Sequence, residues 1–169
     1  MIFLLLKIIG AVLIIFAGFS AGSCFSHNLF ARRDFLKKLM VFLSNLSTNI
    51  RYNSADIFSI STISAQTSDI EYFKFEETEF NTPFSKQWEE KIKSLPNSLS
   101  LIKTDKEFLK EFGSELGKTD VEGQLKHIEL YKSIFEKQLD DAERDIKQKS
   151  KLYRTMGLFV GTTIALMII

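Results

Sequence analysis

At 169 residues, the chain has room for one domain of ordinary size plus short accessory segments. Its 22 basic and 21 acidic side chains nearly cancel, and all but Lys7 fall between Arg32 and Arg154. That neutral middle lacks the basic face that nucleic-acid binding requires, and a single cysteine, Cys24, excludes an internal disulfide and fits a reducing compartment.

Taken in order, Ile8 to Phe25 carries no charge and is long enough for a transmembrane helix. A cleaved signal peptide is the rival reading, but six apolar residues ahead of Lys7 make a poor basic leader. Ala21-Gly22-Ser23-Cys24 resembles the small-residue run before a lipid-modified cysteine, so an exported lipoprotein stands as the alternative. Gly10, Gly18 and Gly22 offer either a close-packing surface for another helix or ordinary membrane composition.

Arg33 to Tyr52 reads as an amphipathic helix, with Leu36, Leu39, Leu43, Leu46 and Ile50 at 3-4 spacing and Phe35 and Phe42 widening the stripe. Asp56 to about Gln66 reads as a Ser/Thr-rich helix with Ile57, Ile60 and Ile63 on one side. Ser68 to Phe80 is ambiguous, its aromatic residues set among acidic ones. Thr82-Pro83 should open a helix running to Leu95 that buries Phe84, Trp88 and Ile92, with Pro96-Asn97-Ser98 as the following loop. Thr104-Asp105-Lys106-Glu107 fits a capping box, and Phe108, Leu109, Phe112 and Leu116 form the apolar face behind it. Gly117 suits the left-handed residue closing that helix. The next one follows at once, so the two should be adjacent and antiparallel.

The last helix should run unbroken from Asp120 to Ile169, opened by Thr119-Asp120-Val121-Glu122 as a capping box. Val121, Leu125, Ile128, Phe135, Leu139, Ala142 and Ile146 make an apolar seam that Lys132 interrupts once, and this stripe should pack against the first helix. Beyond Arg154 the charges stop. Thr155 to Ile169 is fifteen residues, about 22 Å of helix, against a hydrocarbon core of roughly 30 Å. A short C-terminal span is expected, with Lys151 and Arg154 reaching to its edge.

The organisation expected is therefore an all-α chain: an anchor over 1–26, a helical bundle over 27–154 and a short transmembrane segment over 155–169. Arg32, Arg33, Lys37 and Lys38 follow the first span, and Arg144, Lys147, Lys149, Lys151 and Arg154 precede the second. These flanking charges place the bundle in the cytoplasm.

Candidate chemistry is sparse, and no catalytic, cofactor or metal residue is assigned. Gly113-Ser-Glu-Leu-Gly117-Lys118-Thr119 has three residues between its glycines where a phosphate loop needs four, and a helix precedes it where a strand should. His27 and His127 are too far apart, and too few, for a zinc site. Gln124 and His127 share a helix face and, with Asp120 just ahead, are candidate partner contacts. Tyr153 and Arg154 are candidates too, with interfacial anchoring the simpler role.

Three segments carry a family resemblance: Leu116-Gly117-Lys118-Thr119-Asp120, Gln124-Leu125-Lys126-His127, and Lys151-Leu152-Tyr153-Arg154-Thr155-Met156-Gly157. In order and spacing they resemble the LG-x-x-D, Q-x-x-H and K-x-Y-R-x-x-G series of the stage III sporulation protein AB family. Lys7-Ile8-Ile9-Gly10-Ala11 resembles that family's opening K-x-x-G-A. Two departures stand near Tyr52: Asn49-Ile50-Arg51-Tyr52 replaces E-I-x-Y, and Asn53 to Phe58 lacks a Thr-Pro-Leu-Pro stretch. The resemblance implies a bundle similar to the F-protein domain of type II secretion machines. It also implies a non-enzymatic platform in the channel complex between mother cell and forespore, seated in the mother-cell-derived outer forespore membrane. Its partners would be the secretion-type ATPase, stage III sporulation protein AA, and other membrane proteins of the channel, with self-association allowed and no cofactor.

Overall fold

The computed structural model describes residues 2–53, 55–76 and 82–168, with side chains from Ile9 onward except those of Phe25, Arg154 and Ile168. Five α-helices carry the fold: α1 (Ile2–Tyr52), α2 (Ile57–Thr67), α3 (Phe84–Ser94), α4 (Lys103–Glu115) and α5 (Val121–Ile168). Among the described residues two single 3-10 turns, Glu71–Phe73 and Asn97–Leu99, lie between them, and no strand occurs. The chain forms two compact units, residues 32–140 and a second made of residues 1–31 and 141–169.

In the larger unit the expected stripe of α1 is the core. Leu36, Leu39, Phe42, Leu43 and Leu46 are fully buried. Ile128 and Phe135 of the α5 seam are buried as well, while Val121 at its start is about half exposed; Ala142, also buried, belongs to the second unit. Helices α4 and α5 run antiparallel, as their short five-residue link favours: His127 meets Phe112 near the turn, and Phe135 meets Phe108 two turns further on.

The bundle closes around Trp88. Its indole is fully buried and touches Phe42 of α1, Phe73, Phe84 of α3 and Phe112 of α4, with ring centroids 4.5–6.2 Å away. A buried indole N–H needs an acceptor, and the Leu109 carbonyl supplies one at 2.6 Å. Gly113 makes this approach feasible, because a Cβ there would overlap the indole ring. Trp88 is thus core, as its place in the helical pattern implied.

Helix α2 departs from the sequence reading. Ile60 is buried, but Ile63 is 41% exposed and the inward face is Phe58, Ser61, Ser64 and Ala65. The hydroxyls explain the choice. Ser61 donates to the Phe73 carbonyl at 3.1 Å, and the Phe75 N–H donates to the Thr62 hydroxyl at 2.9 Å. These bonds satisfy the backbone of an irregular segment that has no helix or sheet to do so. That segment is the ambiguous stretch, and it buries Phe73 and Phe75. Phe80 lies outside the described residues. Asp56 caps α2, accepting from the N–H groups of Phe58 and Ser59.

Two helix starts are also corrected. In α3 the capping position is Pro83, and the Thr82 hydroxyl bonds instead to the Gln87 side chain. Helix α4 begins two residues earlier than the Thr104 capping box allows, because Asp105 takes the reciprocal role and accepts the Ile102 N–H at 3.1 Å. Asp105 is fully buried for a second reason: Arg32, expected to be a membrane-flanking charge, turns inward and grips it. The Arg32 Nε and Nη2 donate to its two oxygens at 2.7 and 2.9 Å, and Nη2 also reaches the Gln138 Oε1 at 3.1 Å.

Three outcomes follow from this packing. Gly113→Ala gains about 1 kcal/mol of helix propensity but incurs overpacking of about 1–3 kcal/mol, here at a ring held by its hydrogen bond. Net destabilisation is expected in urea unfolding followed by the fluorescence of Trp88, the sole tryptophan; equal or greater stability would mean that the indole can shift. Asp105→Leu leaves Arg32 buried without a counterion and should cost about 3–5 kcal/mol, most of it recovered when Arg32→Met is added. Finally, Glu89 joins Lys93 at 2.8 Å and Lys110 at 2.9 Å, and the hydrogen bonds these two donate hold its carboxyl down to about 2. A carboxylate depressed in the folded state stabilises it above the ordinary value near 4.5, and that contribution is lost as pH falls through about 2. Unfolding midpoints of Glu89→Gln and the parent should therefore differ by a constant amount above pH 5 and converge toward pH 2.

Candidate functional site

The α4–α5 corner collects three of the residues singled out in the sequence. Helix α4 ends at Glu115 with Leu116 as its extended cap, and Gly117 turns the chain in the left-handed region at φ 82°. Asp120 then caps α5, its carboxylate accepting the Gly123 N–H at 2.9 Å. The cap is therefore Asp120 rather than Thr119, and Gly123 leaves it room: a Cβ at that position would lie 2.8 Å from the Thr119 hydroxyl. Gln124 donates back to the Thr119 carbonyl at 3.0 Å.

His127 serves the end of α4. Its Nε2 lies 2.8 Å from the Phe112 carbonyl, which can only accept, so the proton resides on that nitrogen. The imidazole lies parallel to the Phe112 ring at 5.5 Å and meets Tyr131 at 4.8 Å. The Tyr131 hydroxyl reaches Glu111 at 3.4 Å, and partial burial, helped by Glu111, pushes its pKa up. Asp120, Gln124 and His127 are thus brought together and given internal partners, with only the Gln124 Oε1 left buried and unpaired. Chemically the corner is a fixed polar joint. Lys118 bonds to Glu115 at 3.1 Å, and Gly113 sits inside α4 beneath the indole, so the glycines of this stretch serve packing and a helix stop. Among the described residues no three His, Cys, Asp or Glu side chains are grouped as a metal site.

Tyr153 belongs to the other unit. It is half-buried beside Gly18, Ala21 and Gly22 of α1 and Gly157 of α5, around an apolar notch of about 240 Å³. The Arg154 side chain lies outside the described residues. In this unit the two helices meet backbone to backbone. A Cβ at Gly18 would come within 2.6 Å of the Gly157 carbonyl oxygen, one at Gly157 would overlap the Gly18 carbonyl, and one at Gly161 would lie 3.1 Å from the Ile15 Cα. Gly18 and Gly22 are therefore a helix-packing surface, whereas Gly10 has open space beside it. The sequence reading missed the partners Gly157 and Gly161, although their spacing of four is the signal that marks such a face.

Around this contact the stretches 9–19 and 156–167 expose large apolar side chains: Leu13, Phe16, Phe159, Leu166 and Met167 are 63–84% exposed. Exposed apolar surface on this scale marks a membrane or partner interface. Helix α1 is the one described helix long and apolar enough to cross a bilayer, with an 18-residue window of mean hydropathy 1.9. Of the flanking cations, Arg33 pairs with Asp34 and Lys149 with Asp145, both at 2.5 Å, while Lys151 is exposed.

Comparison with known proteins places the chain in a family. The family model for stage III sporulation protein AB matches residues 7–169. The stage III sporulation protein AB of Bacillus subtilis (strain 168) is 27% identical over 170 residues, covering 97% of this chain and 99% of the relative. No solved structure matches. With the match running from Lys7 through the close-packed glycines to the last residue, the chain belongs to the stage III sporulation protein AB family, and its role is in sporulation.

Proposed function

We propose that the protein is a non-enzymatic membrane platform of the mother cell–forespore channel, linking membrane ring proteins to a cytoplasmic secretion-type ATPase similar to stage III sporulation protein AA. Its seat is the mother-cell-derived outer forespore membrane. The observation that carries the reading is the glycine-to-glycine helix pair, whose exposed surface is almost wholly apolar. In hydrocarbon there is no hydrophobic drive between helices, and close backbone approach is what holds them together. The pairing supplies the apolar tail of α5 with a membrane partner although the tail is short for a span.

The bundle supports the adaptor part of the proposal. Its core is packed with aromatic side chains and its polar corner is internally bonded, leaving a rigid surface rather than a reaction centre. Both α1 and α5 continue as helix from one unit into the other, and α5 contains neither Gly nor Pro between Gln124 and Met156. A load on the bundle would be carried along those helices toward the membrane.

Topology tests this first. With Cys24→Ala as background and Ser98→Cys placed in the exposed turn after α3, a membrane-impermeant thiol reagent should label the protein only after lysis. Labelling in intact cells would put the bundle outside, out of reach of any cytoplasmic ATPase, and would favour an exported protein anchored at Cys24.

A further inference from the structure

The seam between α1 and α5 breaks at one place. Between buried Ile128 and buried Phe135, the position that should continue the apolar stripe is Lys132. Facing it, α1 presents Ser44, Ser47, Thr48 and Arg51, and the two helices part around a groove of about 350 Å³. A leucine at 132 would have closed this gap at no cost in polar burial. The lysine keeps it open.

The charge lining the groove is positive on balance. Arg51 and Lys132 bring two positive charges, and Glu129 is the single acid in the lining. None of these three side chains forms an ion pair with a described residue, although other acids and bases on the helix surfaces pair at 2.5–3.6 Å, as Lys93 does with Glu89 and Lys103 with Glu107. The Ser44 and Thr48 hydroxyl protons are spent on their own helix, at the carbonyls of Met40 and Ser44, both at 3.0 Å. The cationic groups are what the groove has to offer. The group that enters the groove must therefore be an anion, and a singly charged one, because Glu129 opposes a second negative charge inside it. Ile128 and the Tyr52 ring supply apolar wall for methylene groups. The C-terminal end of α1 carries a partial negative charge that works against an anion, but two charge-assisted hydrogen bonds outweigh it.

We propose that this groove docks an aspartate or glutamate side chain from a segment of a partner protein, clamped between Arg51 and Lys132. The adaptor reading bears on who supplies that segment, not on whether the groove takes it.

The test uses the full-length protein in neutral-detergent micelles and a fluorescein-labelled hexaglutamate peptide, with hexaglutamine as its uncharged counterpart, read by fluorescence anisotropy. The glutamate peptide should bind and the glutamine peptide should not. Arg51→Gln and Lys132→Leu should each weaken binding about tenfold, while Lys137→Gln, an exposed lysine elsewhere on α5, should leave it unchanged. Lys132→Leu should also keep or raise the unfolding midpoint, so that its loss of binding is not loss of fold. No binding by the parent, equal affinity in all variants, or displacement by an equal concentration of inorganic phosphate would overturn the proposal, the last by assigning a small-anion site. Labelling of Ser98→Cys from outside the cell would leave a positive peptide result standing, and a negative one would leave the topology untouched.

Discussion

A buried guanidinium–carboxylate pair, Arg32 with Asp105, sets the register of the three longest helices of the bundle. Leucine stripes alone would tolerate sliding, because hydrophobic contact is non-directional. A bidentate pair is not tolerant: both oxygens of Asp105 are used, and the same guanidinium reaches Gln138 on α5. Asp105 also accepts the Ile102 N–H, which fixes where α4 begins. Desolvating two charges is expensive, so such a pair adds little net stability and is better understood as a specificity device. Its position gives the device a purpose. Arg32 and Gln138 stand where α1 and α5 are about to leave the bundle, so the relative height of the two long helices is decided there.

The aromatic core works by the opposite logic. Trp88 and its four neighbouring rings supply area rather than direction, and they come from α1, α3, α4 and the 3-10 turn at Glu71–Phe73. One directional contact, the indole N–H to the Leu109 carbonyl, turns this mass of rings into a defined arrangement. It requires α4 to come close enough for its backbone to accept, and Gly113 is the residue that permits it.

How much of this was legible in the sequence depended on whether a contact follows from period. The stripes of α1, α3 and α5, the left-handed Gly117 and the antiparallel α4–α5 pair all follow from spacing and turn chemistry, and they are present. What period does not carry is a polar group turned inward. Arg32 looks like a membrane-flanking cation until Asp105, seventy-three residues away, is seen opposite it. The inward face of α2 was misread for the same reason: hydroxyls look like surface, and here they hold the backbone of the Phe73–Phe75 segment. At the corner, Asp120, Gln124 and His127 were recognised as a group, but spacing does not say which backbone groups they serve: the Gly123 N–H, the Thr119 carbonyl and the Phe112 carbonyl of α4.

Helix α5 shows why a single helix needs two packing codes. Along the bundle it buries bulky side chains, Ile128 and Phe135, because in water the free energy comes from the apolar area removed. Past Arg154 it meets α1 through Gly157 and Gly161, residues with almost no side-chain area to bury. On the proposed membrane reading the change is required. A phenylalanine against α1 in lipid would merely exchange one apolar neighbour for another, whereas glycine lets the backbones approach and gain dispersion contacts that lipid chains do not match. The large side chains have accordingly moved to the outside, where Phe159 and Met167 face outward. On that same reading, the reversal of bulk from inside to outside along one uninterrupted helix would mark the change of solvent, and it is a signal independent of any count of hydrophobic residues.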